Sequence, residues 1–143
     1  MRRTLDRGYE LDDDRERVDV DAVYRFLATE AYWVPGRSRE TIERLVRVST
    51  AVWGTYAPDG SLAGFARVMS DGSNMAWLGD VFVLDAHRGR GLGAALIDAA
   101  VNDPRFAACV WYLNTRDAQA LYERFGFAPA DPGRTMTRPR PSG

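Results

Sequence analysis

The chain contains no lysine: all 19 of its basic residues are arginine. That excludes the Gly-x-x-x-x-Gly-Lys-Ser/Thr phosphate loop, whose lysine reaches the β- and γ-phosphates, and Schiff-base chemistry on a side chain. There is one histidine, His87, and one cysteine, Cys109. These are too few for the usual zinc sites, so no metal is expected. A lone cysteine makes no internal disulfide, and a reducing cytoplasm is the expected compartment. Long apolar runs are also missing: none approaches the roughly 20 residues of a membrane span. Residues 1–14 lack the apolar segment of a secretory signal. Neither sign of charge dominates, and a net charge of -1 argues against a general nucleic-acid or membrane binder.

What is present fits one domain. A chain of 143 residues, 45% apolar and 27% charged, can bury a core without disulfide or metal staples. Residues 1–18 are mostly polar, with a short strand expected near Tyr9–Leu11. Asp19 or Asp21 is placed to cap a first helix with the apolar face Val23, Phe26, Leu27 and Ala31. Pro35-Gly36 breaks it. Ser38 is placed to cap a second helix, with Glu40 in its first turn and the stripe Ile42, Leu45, Val46 and Ser49. From Ala51 the period changes. Residues 51–57 and 61–70 read as a hairpin around Pro58-Asp59-Gly60. After the turn Asp71–Asn74, residues 75–84 are apolar on both faces except at Asp80, which is the pattern of an interior strand.

The next stretch is the most informative. Arg88-Gly89-Arg90-Gly91-Leu92-Gly93 follows that strand and opens a helix with the face Leu92, Ala95, Leu96 and Ala99. Glycines at every second position leave backbone N–H groups approachable, and those of Gly91–Ala94 lie at the positive end of the helix. This combination binds a phosphate or pyrophosphate, and Arg88 and Arg90 add charge for the same anion. Asp103-Pro104 ends the helix. Residues 108–113 form another apolar strand, expected to run parallel to the preceding one. Residues 116–125 form a helix with Ala118, Leu121, Tyr122 and Phe125 on one face, capped by Gly126. Phe127 and residues 134–137 are expected as short final strands, and the tail from Pro139 as disordered.

Gly89-x-Gly91-x-x-Ala94 also satisfies a dinucleotide fingerprint. That reading requires a carboxylate about 20 residues on, at the end of the next strand. Residues 108–113 are Ala, Ala, Cys, Val, Trp and Tyr, and none of them serves.

The predicted order is β-α-α-β-β-β-α-β-α-β-β. With these motifs in place, the chain resembles the GCN5-related N-acetyltransferases (GNAT). Arg88, Gly91 and Gly93 match the family's Arg/Gln-x-x-Gly-x-Gly/Ala signature. Ala118, Leu121, Tyr122, Gly126 and Phe127 match its Ala-x-x-Leu-Tyr-x-x-x-Gly-Phe segment. The resemblance implies a single-domain α/β acyltransferase fold over residues 1–138, with a mixed, mostly antiparallel sheet and helices on both faces. It implies transfer of an acetyl group from acetyl-CoA to a primary amine on a small molecule or peptide. A homodimer is compatible with it. A non-catalytic acyl-CoA-binding or sensing module is the alternative.

The resemblance also implies roles. The amides of Arg88, Gly89, Arg90, Gly91, Leu92, Gly93 and Ala94 would hold the CoA pyrophosphate. The backbone of Val81, Phe82 and Val83 would pair with the pantetheine arm. Tyr122 would protonate the departing thiolate; its alternative is a core tyrosine. Many relatives place an asparagine seven residues before that tyrosine. Here Thr115 stands there and Asn114 is one residue off, so either is a candidate CoA contact. Asp80 has two readings: a carboxylate facing the acceptor amine, as base or ammonium ligand, or a salt bridge, for example to Arg67 on the neighbouring strand. One common family location for the base falls on Trp77, which cannot serve. Tyr32 and Trp33 would wall the acceptor pocket, with ordinary packing of an aromatic pair as the alternative, and Arg37 could meet an acceptor carboxylate. A Cys109–His87 dyad is weighed against an inert core cysteine and a loop histidine near solvent.

Overall fold

The computed structural model describes residues 1–29 and 36–141. Six strands form one sheet in sequence order: β1 (Arg2–Thr4), β2 (Glu10–Asp12), β3 (Ala51–Tyr56), β4 (Leu62–Ser70), β5 (Met75–Val83) and β6 (Val110–Tyr112). Neighbours are antiparallel except β5 and β6, which are parallel. Helices α1 (Val20–Thr29) and α2 (Arg39–Val48) precede β3. Helix α3 (Leu92–Val101) makes the β5–β6 crossover, and α4 (Gln119–Glu123) follows β6.

The helix starts follow from side-chain caps. Asp19 accepts from the Ala22 amide at 3.1 Å, and Ser38 from the Thr41 amide at 3.1 Å. Helices α1 and α2 then bury Val23, Phe26, Leu27, Ile42 and Val46 on one face of the sheet, against Val52, Tyr56, Phe65 and Phe82. On the other face Leu96, Ile97 and Ala100 of α3 pack with Trp53, Ala66, Val68, Ala76 and Leu78. The buried stripe of α3 is therefore Leu92, Leu96, Ile97 and Ala100 rather than one through Ala95 and Ala99.

Three elements differ from expectation. Strand β1 has no apolar alternation to announce it. It is an exposed edge strand, held by its ladder to β2, by the bond from the terminal amine to Asp13 and by Arg2 at 3.4 Å from Asp12. The final strands do not form: among the described residues no strand follows β6. Residues 134–137 read Arg-Thr-Met-Thr, and their one large apolar side chain, Met136, is 93% exposed, so no buried face holds them to the sheet. Helix α4 starts three residues later than expected. Thr115 Oγ1 accepts from the Ala118 amide at 3.1 Å, and Ala118 itself is non-helical.

The feature that shapes the site is a β-bulge. Phe65 pairs with Phe82 and Arg67 with Gly79, so Asp80 and Val81 of β5 stand opposite Ala66 alone. Asp80 absorbs the extra residue with φ +53°, a left-handed conformation that aspartate tolerates better than most side chains. One inserted residue reverses the alternation of a strand. Before the bulge, Ala76 and Leu78 face α3. After it, Phe82 faces α1 and Val81 and Val83 face α3.

Candidate functional site

Strand β6 pairs only with Met75, Ala76 and Trp77. Beyond Trp77 the two parallel strands part, and among the described residues Leu78–Val83 have no strand partner on that side. A bulge increases twist and bends its strand, which carries β5 away from β6. A peptide-like chain can add to such an edge through its amides and carbonyls. Val81, Phe82 and Val83, expected at this edge, all lie on it. The ring of Phe82 is stacked on Phe26 with centroids 4.1 Å apart, so only its backbone is free to face a ligand.

The glycine loop lies just past the end of this edge. Gly89 and Gly91 have φ of +79° and +74°, and a Cβ at either would meet nothing within 4 Å. The requirement for glycine is therefore conformational, and the loop surface is open. Gly91 is the N-cap of α3, and no side chain caps that helix. Its first-turn amides, at Leu92, Gly93 and Ala94, are available to an anion. The guanidinium groups of Arg88 and Arg90 fold back onto the loop: Arg88 Nε donates to the Val83 carbonyl at 3.1 Å, and Arg90 Nη1 to the Ala86 carbonyl at 3.1 Å. A Cβ on Gly93 would stand 3.8 Å from Val83 and 3.9 Å from Leu121, so this glycine sits where α3 passes between β5 and α4.

The placement of Tyr122 follows from how α4 ends. The Phe127 amide donates to the Tyr122 carbonyl at 3.3 Å and the Gly126 amide to the Glu123 carbonyl at 3.1 Å, with Gly126 at φ +89°. This is a Schellman termination, and its usual apolar contact is the edge-to-face pair Tyr122–Phe127, with centroids 5.8 Å apart. The spacing Tyr122, Gly126, Phe127 is thus the local code that orients the tyrosine. Tyr122 borders a cleft of about 740 Å³ between β5 and the β6–α4 connection, and a smaller one of about 240 Å³ beside it. Asn114 and Thr115 line both clefts. Thr115 Oγ1 is engaged in capping, which leaves Asn114 the freer of the two candidates.

Asp80 lies in the wall of the larger cleft. The bulge turns its side chain towards Arg67, and both oxygens are taken by arginine. Arg67 Nε donates to Oδ2 at 2.7 Å, Arg37 Nη2 to Oδ1 at 2.8 Å and Arg37 Nη1 to Oδ2 at 3.1 Å. The side chains of Asp80, Arg37 and Arg67 are 4%, 9% and 14% exposed. Burial pushes the Asp80 carboxyl up, but the hydrogen bonds and charges of the two arginines outweigh it and hold the group below its ordinary 3.8. Of the two readings of Asp80, the salt bridge to Arg67 forms. Arg37 also meets a carboxylate, but one from this chain. Residues Tyr32 and Trp33 lie outside the described residues.

His87 is half-buried and shares a 2.8 Å hydrogen bond with the Tyr9 hydroxyl. Cys109 lies 3.5 Å from Ser70 Oγ, so the two form no dyad. Sequence reasoning did not reach Arg37 as the second partner of Asp80, nor Arg116 and Arg140 as cleft residues. An arginine inside the otherwise apolar β4, Arg67, was the available signal that a buried carboxylate needed company. Among the described residues no helix is long and apolar enough to cross a membrane, and no group of three or more His, Cys, Asp and Glu side chains is placed to hold a metal ion.

The model of the acetyltransferase (GNAT) domain family matches residues 49–129. A Xanthomonas campestris pv. campestris structure assigned to the GNAT family is 36% identical, with a TM-score of 0.87, over 93% of this chain and 94% of that one. A structure from Deinococcus radiodurans R1, also assigned as an acetyltransferase, is 23% identical with a TM-score of 0.75, over 98% and 94%. A Mycobacterium tuberculosis protein in complex with CoA and NLQ is 21% identical with a TM-score of 0.69, over 85% and 72%. No curated protein matches the chain.

Proposed function

From the premise that this chain belongs to the GNAT family and is an acetyltransferase, we propose that it moves an acetyl group from acetyl-CoA to a primary amine by direct attack. The observation that carries this reading is the combination of three features: a β5 edge at Leu78–Val83 that no further strand covers among the described residues, an uncapped helix start at Gly91 just past it, and Tyr122 on the cleft beside that edge. They fit the donor's three parts. The loop amides suit a diphosphate, the strand edge suits the amide-bearing pantetheine arm, and the tyrosine hydroxyl suits the sulfur. Acetyl-CoA supplies an activated thioester, and every other contribution comes from the chain. The crystallised relative in complex with CoA supports the same donor.

Catalysis then rests on positioning and on two protons. The amine nitrogen bonds to the thioester carbonyl carbon, and a backbone N–H of Phe82 or Val83 stabilises the oxygen that gains charge. As the carbon–sulfur bond breaks, Tyr122 gives its proton to the thiolate, and the proton that the nitrogen sheds passes to solvent, from which Tyr122 is reprotonated. Asp80 is assigned a positioning role rather than that of base. Its two oxygens accept three arginine hydrogen bonds and its basicity is depressed. The reactive species is the free-base amine, so turnover rises with pH towards the amine's own pKa.

The test is a thermal-shift titration with acetyl-CoA and NAD side by side, followed by free-thiol release with an amine panel. Acetyl-CoA should raise the melting temperature and NAD should not. Thiol release that depends on an amine supports direct transfer to that amine. A clear acetyl-CoA shift without release by any amine favours the sensing module, and no shift at saturating acetyl-CoA refutes the donor assignment.

A further inference from the structure

Building on the acetyl-transfer reading, we propose that the acceptor is an amine that itself carries an anionic group, a carboxylate or a phosphate, and that this group docks on Arg67 and Arg37. Among the described residues the wall of the large cleft holds four arginines, Arg37, Arg67, Arg116 and Arg140, against two carboxylates, Asp80 and Asp117, although the whole chain has a net charge of -1. At its most buried point two guanidinium groups share one carboxylate. A buried charge without a counter-ion is costly, and among the described residues these two cations have one carboxylate between them.

The donors left over point to the same ligand. Arg37 spends Nη1 and Nη2 on Asp80, while its Nε is buried and has no hydrogen-bond partner. Arg67 spends Nε on Asp80 and Nη1 on Ser49 Oγ at 3.4 Å. Its Nη2 lies over Gly79, 3.6 Å from where a Cβ would stand, with the Trp77 indole at the same distance. Gly79 thus keeps a floor open between a cation and an aromatic ring. Planar guanidinium donors fit the oxygens of carboxylates and phosphates.

This is not the donor's anion site. Arg67 and Gly79 are paired across the face that carries α1 and α2, whereas the glycine loop opens α3 on the opposite face. The sheet therefore has one anion site on each side of the free β5 edge: one for the diphosphate of the donor, one for the acceptor.

Matched amines test this: phenethylamine against phenylalanine, and ethanolamine against phosphoethanolamine, with kcat/KM from thiol release. A second readout is the additional melting shift that each amine gives in the presence of CoA. In the wild-type protein the acidic member of at least one pair should be favoured by about tenfold or more, and which pair responds tells carboxylate from phosphate. Arg67→Gln should remove most of that preference and leave the KM for acetyl-CoA within about twofold. Gly79→Ala is the second variant. It keeps every charge and its Cβ makes only ordinary contacts, yet it fills the floor and should weaken the acidic amine more than its neutral twin. If acetyl-CoA binds and neither acidic amine is preferred in turnover or in melting shift, the anion site is refuted and the donor reading stands. If acetyl-CoA does not bind, both fall together.

Discussion

The substitution Asp80→Asn separates a carboxylate that holds the cleft together from one that merely borders it. Asparagine keeps the shape and tolerates the left-handed φ of +53° at this position, so the backbone is not the variable. What changes is charge and donor count. The carboxylate accepts three arginine hydrogen bonds of 2.7, 2.8 and 3.1 Å at a side chain that is 4% exposed. An amide offers one acceptor oxygen and turns an N–H₂ towards a guanidinium, and two buried cations lose their shared counter-ion. Removing one partner of a buried ion pair costs about 3–5 kcal/mol. For a domain of this size that is a fall in melting temperature of roughly 10 °C or more.

Differential scanning calorimetry at neutral pH measures this, with Asp80→Gly as control. Glycine takes the same φ without strain, so it should be as unstable as asparagine if charge is what matters. An Asn variant melting within about 2 °C of wild type would refute the argument. The pH dependence follows with a definite sign. The folded pKa lies below the ordinary 3.8, so the pair's contribution is fully present above about 3.8. It is lost as pH falls through the folded value, and the gap between wild type and Asp80→Asn should close at the acid end.

Other positions give predictions of both signs. The Tyr56 hydroxyl is buried without a partner, and burial pushes its pKa up to about 12; Tyr56→Phe removes that unsatisfied group and should stabilise the fold by up to about 1 kcal/mol in urea unfolding. Gly54→Ala should do the reverse, by about 1–3 kcal/mol, because its Cβ would stand 2.5 Å from the Tyr56 hydroxyl oxygen. Gly91→Ala and Gly60→Ala both force alanine into a left-handed φ, +74° and +89°, with open space around the Cβ, and each should cost about 1–2 kcal/mol. Isothermal titration then discriminates them: only the Gly91 variant should bind acetyl-CoA more weakly. Tyr122→Phe should lower kcat by part of the roughly 10²–10⁴-fold range of acid–base catalysis, and unchanged turnover at both high and low pH would remove Tyr122 from the mechanism.

The parts of the site that were legible in the sequence are those whose geometry is written locally. The glycine loop announces itself because left-handed backbone needs glycine. The Tyr122–Gly126–Phe127 spacing announces a helix end because the same five-residue reach closes the termination bonds and brings the two rings together. The hairpin at Pro58–Gly60 and both N-caps are local in the same sense. The misses are of two kinds. Residues 134–137 look like a strand to a reading of propensity, but an exposed Met136 gives them nothing to bury. Arg37 and Asp80 are 43 positions apart, and no periodicity links them.

The bulge was hidden for a subtler reason. Gly79-Asp80-Val81 sits in a run apolar on both faces, and alternation cannot register an extra residue where both faces accept the same side chains. Yet that one residue accounts for three observations. It returns Phe82 to the α1 face, where it stacks on Phe26. It swings a carboxylate onto the same face as Arg67. It adds twist just beyond the last β5–β6 pair at Trp77–Tyr112, where the strands separate. Core packing, the buried ion pair and the free edge are therefore one structural event rather than three. Deleting a residue between Gly79 and Phe82 should abolish them together: Phe82 would turn away from Phe26, Arg67 would lose its partner, and β5 would have less reason to leave β6. A deletion variant that kept normal stability and normal acetyl-CoA binding would break that chain of reasoning at its first link.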